Sequence, residues 1–279
     1  MTIKCHVGRV GAVAVALGVG AGLAATPPTA SADDAVSAQV KARIDAALAS
    51  RGSVSVSVNG KTVVQMGTAT SSATGTNSRA IARGAGAIAT ADGGDRNVAI
   101  AVGANSVAEA GLSIYGAGDN NRAIVRGNDS TARASGGNNN IARTVGDSSF
   151  VSAGLGDNNT ALGIGDQNSV GAGFGQGNSA TVVGNRSTAR AINGDGDVAI
   201  AEGFENWAQA EDGSHNTATV KGSNSLAAAG AGGDNNTAAV TGDGSTAIAH
   251  DGNGNYAGVT GDGLTADAGP GNGIIVVVP

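Results

Sequence analysis

The chain has 279 residues, 48 of them glycine, with 14% charged, 2% aromatic and a formal net charge of −6. That composition excludes an ordinary enzyme core and a charge-rich disordered tail, and the acidic balance argues against nucleic acid or an anionic membrane surface as partner. The glycines fall at fixed positions, which excludes simple low-complexity disorder.

Residues 1–32 read as a secretory signal: Lys4 and Arg9 form a basic start, Val10 to Ala25 is small and apolar, and Ala30-Ser31-Ala32 is a cleavage site. The expected location is secreted or cell envelope, with no integral membrane span once the signal is removed. Cys5 precedes the apolar run and leaves with the signal, so the mature chain is expected to owe nothing to disulfides. Losing Lys4 and Arg9 leaves 14 basic against 22 acidic residues, a formal charge of −8. Residues 33–52 predict a short helical cap. Val36, Val40, Ile44 and Leu48 recur every four residues and Gly52 stops the helix. Residues 53–77 are read as a degenerate first coil: SVSVSV alternates strictly, Asn59-Gly60 is a hairpin-turn dipeptide, and KTVVQM follows.

Residues 78–271 hold ten copies of one unit, starting at Ser78, Asn97, Asn121, Asn140, Asn159, Asn178, Asp197, Asn216, Asn236 and Asn255. Seven of the nine intervals are 19 residues; the others are 24 and 20. Position 3 is Ala, position 7 Gly and position 14 Ala in every copy. Small apolar residues alternate with others at positions 1 to 5 and 10 to 14, with Gly- and Asp-rich tetrads between. This pattern predicts two short strands and two turns per coil. Such a coil buries its apolar edge only by stacking on the next. The predicted fold is all-β: a narrow two-sheet parallel β-solenoid with a short N-terminal helix cap. The position-1 Asn column predicts a ladder of side-chain amides along the stack. Residues 272–279 (IIVVV then Pro279) predict a closing strand.

Binding and catalytic features are sparse. The five-residue excess in the Asn97 copy predicts a loop carrying Tyr115. Phe150, Phe174, Phe204 and Trp207 do not fit a tight alanine core, so with Tyr115 they are the candidate surface contacts. Turn acids Asp147, Asp157, Asp166, Asp195, Asp234, Asp243 and Asp262 lack the GGxGxD order of calcium β-rolls and are read as solvated. Threonine in the outward columns is interrupted by Arg122, Ile141, Phe150, Trp207 and Leu226, unlike a flat ice-binding array. No catalytic constellation, cofactor site or metal-spaced set stands out.

The phrase GQGNSATV over Gly175–Val182 resembles the repeat of curlin fibre subunits, although Gly184 stands where that pattern has Gln. The Asn-Ser-Val and Asn-x-Ala-x-x-x-Gly phrases resemble head repeats of trimeric autotransporter adhesins, and the N-x-V-x-G logic resembles plant ice-recrystallisation inhibitors. VGRVGAVAVALGVGAG is similar to export signals of mycobacteria and relatives. These resemblances imply a secreted or envelope β-solenoid with a structural or adhesive, non-catalytic role. Its partner would be an envelope or host-surface component, and a monomer is expected. The alternative is a ligand-binding rod (ice, glycan or calcium) or a curlin-like fibre subunit.

Overall fold

A computed structural model describes residues 52–111 and 116–279. The predicted signal, the predicted Asp33–Ser50 helix and Tyr115 lie outside those residues. The described chain is all-β, with a thirteen-stranded and an eleven-stranded sheet. Each unit gives one strand to each sheet, and successive units pair in parallel and in register. Ala123 sits beside Ala142, and Ala142 beside Ala161. The result is a parallel β-solenoid of about eleven turns, rising about 4.8 Å per turn.

Side chains at positions 3, 5, 12 and 14 point inward because alternate residues of a strand face one way. Ala80, Ala99, Ala161, Ala180 and Ala199 are fully buried. The two walls share their volume. Where position 12 is Val, at Val151 and Val170, position 5 is Thr144 or Gly163. Where position 5 is Val, at Val125 and Val182, position 12 is Ala132 or Ala189. A Cβ on Gly163 would come within 2.9 Å of Val151 and 3.4 Å of Val170. Alanine gives up little apolar area at ~25 cal/mol per Å², so cohesion depends heavily on hydrogen bonds.

The start of the solenoid differs from the coil expected over residues 53–77. Strands β1 (Val54–Val58) and β2 (Lys61–Met66) form an antiparallel hairpin, and β1 also lies antiparallel on the Arg79–Arg83 strand. Asn59 (φ 48°) and Gly60 (φ 79°) both take the left-handed conformation. That two-residue turn reverses the chain at once, whereas a parallel coil needs a longer crossover. Only β3 (Thr70–Ala73) enters the second sheet. The inward residues of β1 are Ser55 and Ser57, whose hydroxyls bond to Ser71, Gln65 and Thr62.

Four side-chain columns hold the corners. At position 1, the Asn121 N–H donates to Asn97 Oδ1 (2.8 Å) and Asn121 Nδ2 donates to the Gly137 carbonyl (2.7 Å). Asn140, Asn159, Asn178, Asn236 and Asn255 repeat both bonds. The asparagine ladder therefore runs from side chain to backbone rather than from amide to amide. Position 10 does the same with a hydroxyl: the Ser149 N–H donates to Ser130 Oγ (3.1 Å) and Ser149 Oγ donates to the Gly165 carbonyl (3.1 Å). Where positions 8 and 18 carry Asp or Asn, these bond in the opposite direction along the axis. Asp147 Oδ1 accepts from the Asn128 N–H of the preceding coil, and Asp157 Oδ1 from the Asn138 N–H, both at 2.7 Å.

Glycine at positions 7 and 17 follows from this closeness. A Cβ on Gly127 (φ 148°) would strike the Gly146 carbonyl oxygen, and one on Gly184 the Gly203 carbonyl oxygen. The ladders stop at apolar residues. Leu264 and Ile274 stand at positions 10 and 1; their N–H groups donate to Ser245 Oγ and Asn255 Oδ1, and their side chains offer no acceptor onward. The Ile275–Val278 strand then completes the larger sheet on the Tyr256–Thr260 strand.

Ala180→Leu is expected to destabilise by ~1–3 kcal/mol or more through overpacking, and Thr181→Leu, one residue on but facing out, by less than ~0.5 kcal/mol. Gly127→Ala should cost at least as much as Ala180→Leu, because it collides with backbone. Denaturant unfolding of the three variants measures this, and equal midpoints for Ala180→Leu and Thr181→Leu would overturn the inward and outward assignment.

Candidate functional site

The aromatic residues do not form one patch. Phe150 and Trp207 share position 11 on the outer face of the second sheet, with Ser169 and Thr188 in register between them. Three rungs at ~4.8 Å separate them by roughly 14 Å. Phe174 stands at position 16, where the chain leaves that sheet; it is 58% exposed with φ 55°. Phe204 ends the Val198–Phe204 strand of the larger sheet, its ring 5.5 Å from the Arg186 guanidinium, which also pairs with Glu205 at 3.1 Å. Phe150 and Phe174 face one groove, whereas Phe204 and Trp207, in a single coil, lie outside it.

That groove measures about 700 Å³. Ser152, Gly154, Gly171 and Gly173 form its floor. Phe150 borders one side and Leu155 with Phe174 the other. Arg133 and Arg190 stand in one column with Ser152 and Gly171 between them, and the lining continues past Arg133 to Glu109 and Thr90. The groove exists because this column drops its side chain: a Cβ on Gly171 would meet nothing within 4 Å. Arg133 is held by Glu109 (2.7 Å) and lies 5.8 Å over the Phe150 ring. Arg190 has no carboxylate partner among the described residues. Aromatic flanks, guanidinium donors and a flat hydroxyl-bearing floor suit a ring with an apolar face and polar edges.

The turn acids have a structural task that the sequence reading missed. All seven accept a backbone N–H from the preceding coil: Asp147, Asp157 and Asp195 at 2.7 Å, Asp166 and Asp234 at 2.8 Å, Asp243 at 2.7 Å and Asp262 at 2.8 Å. Asp, Asn and Ser interchange at positions 8 and 18 because each offers an oxygen to that N–H. The interchange along the two columns is the signal that could have found them. Among the described residues, no three of His, Cys, Asp and Glu converge on a metal-sized site. His250 lies between Asp251 (2.8 Å) and Asp267 (3.0 Å), and those hydrogen bonds, the Asp251 one first, hold its imidazole above the usual pKa.

Asp197 is the one carboxylate in the position-1 column. It is fully buried; Oδ1 accepts the Asn216 N–H at 2.8 Å, and Oδ2 has no partner. At other coils this place holds an amide nitrogen donating to a glycine carbonyl. A carboxylate can only accept, so it faces that carbonyl without a proton. Burial pushes the Asp197 pKa up to about 6, with Asp195 and Asp234 adding to the rise. The Asn216 N–H and the nearby His215 oppose it. Asn216 Nδ2 is also unpartnered. Its unit is 20 residues long.

No protein family, curated protein or solved structure matches the chain.

Because the folded pKa of Asp197 lies above its unfolded value, the fold holds the proton more tightly than the unfolded chain. The stability linked to this group is fully present below about pH 4 and is lost as pH rises through about 6. Asp197→Asn restores the donor. It is expected to raise stability at neutral pH by ~1–3 kcal/mol and to flatten the pH dependence between those limits. Chemical unfolding at acid and neutral pH tests this; an Asp197→Asn protein less stable than the parent at neutral pH contradicts it.

Proposed function

We propose that the chain is an exported β-solenoid of the cell envelope or its surroundings, with a structural and adhesive role and no catalysis, and that the groove between Phe150 and Phe174 is a saccharide contact. The observation that carries the reading is the groove itself. It is opened where Gly171 leaves its column without a side chain, and it is flanked by two rings and two guanidinium groups. Phenylalanine faces stack on the C–H face of a sugar ring, while Arg190 and Ser152 are placed to bond its hydroxyl or carboxylate groups. The regular coils below supply a rigid mount, as adhesion under load requires. Export rests on the composition of residues 1–32. A fibre subunit fits less well, because Leu264 and Ile274 end the corner ladders.

Two experiments test the two parts separately. Residues 1–32 fused to alkaline phosphatase in a bacterial host should give activity outside the cytoplasm; activity trapped inside the cell removes the export reading. The full chain applied to a panel of immobilised neutral and acidic glycans should bind saturably, and Phe150→Thr with Phe174→Asn should abolish that binding. Both replacements mimic residues already present in those columns, Thr131 and Asn193. Binding that survives the double substitution would falsify the groove as the contact.

A further inference from the structure

The opposite side of the solenoid carries a second surface, independent of the saccharide reading. On the larger sheet, positions 2, 4 and 6 face outward. From the Arg79–Arg83 strand to the Ser179–Asn185 strand, these columns contain five arginines: Arg79, Arg83, Arg122, Arg126 and Arg143. All five are exposed. The same columns contain no acidic residue until Glu202, one coil later. The central column reads Ile81, Ile100, then Ile124, which is buried between the flanking arginines, and after Arg143 Leu162. Beside it, Val102, Ile141, Ile164 and Val183 are 37–43% exposed. An acidic protein thus presents one face of arginines set among aliphatic side chains, six strands wide and in register.

We propose that this face binds the surface of a lipid bilayer carrying anionic headgroups. The negative net charge of the chain argues against such a surface only when the charges are averaged; five arginines with no acidic residue among them share this one face. Each guanidinium near an anionic leaflet adds an attraction that decays over about 8 Å at physiological salt. The aliphatic side chains between them reach the headgroup and acyl boundary. Interior strands here are paired on both edges, so a peptide finds no free backbone to extend. A second copy is disfavoured on two grounds. It would set arginine against arginine, and six strands by five residues cover roughly 500 Å², below the ~800 Å² per partner of a stable interface.

The test is co-sedimentation of the full chain with vesicles of phosphatidylcholine alone and of three parts phosphatidylcholine to one part phosphatidylglycerol. Binding is expected only to the anionic vesicles and should fall at high salt. Arg122→Thr with Arg126→Thr should weaken it about 30-fold. Ile100→Thr with Ile164→Thr should weaken it while keeping the salt dependence. Threonine already occupies these columns at Thr160, Thr219 and Thr260, so the strands are expected to persist; circular dichroism checks this. Three outcomes overturn the proposal. These are no binding to anionic vesicles, binding untouched by the arginine substitutions, and light scattering that shows a dimer broken by those same substitutions, which makes the face a self-interface or peptide-like contact instead.

Discussion

Everything in this fold depends on satisfying backbone polar groups at the corners while the coils stack at strand spacing. Strands pair with their neighbours automatically; turns do not. Here each turn is tied to the next coil by an Asn or Ser at its inner corner, and to the previous coil by an Asp or Asn at its tip. The two sets point opposite ways along the axis, so each coil both receives and supplies. Glycine at positions 7 and 17 is the steric condition for that contact. A net ~0.5–1.5 kcal/mol per hydrogen bond, repeated at up to four positions of each coil, compensates for a core of alanine.

That division of labour explains which features could be read from the chain. The alanine columns and the two-strand coil follow from strict periodicity, because inward positions 3 and 14 are alanine in every copy and fix the register. The asparagine column was legible as a ladder, though not its partners, because an amide can bond to its own kind or to a carbonyl with equal ease. The turn acids looked like solvated charge because Asp, Asn and Ser alternate in sequence. Their equivalence appears only when the preceding coil's N–H is seen beside each one.

The groove was hidden for a different reason. Phe150 and Phe174 were identifiable as misfits, but the space between them depends on a side chain that is missing, at Gly171, and on arginines two coils to one side and one to the other. A search for chemistry by residue type finds groups, not gaps. The hairpin at β1 and β2 illustrates the converse. Asn59-Gly60 was recognised as a tight turn, yet its consequence, an antiparallel start to a parallel stack, follows only from how little room two left-handed residues leave for a crossover.

The 24-residue interval from Asn97 to Asn121 and the 20-residue interval from Asn216 to Asn236 keep the backbone N–H to Asn Oδ1 bond at the corner, at 2.8 and 2.9 Å. In both, the rungs on either side of the longer interval stay aligned. Length along the axis and content at the corners are therefore separate variables. In-frame duplication of one unit's codons lengthens the molecule by a rung without disturbing its neighbours, and a new segment spliced into a turn is displayed at a set height. The gene can behave as a ruler whose graduations are written and moved independently.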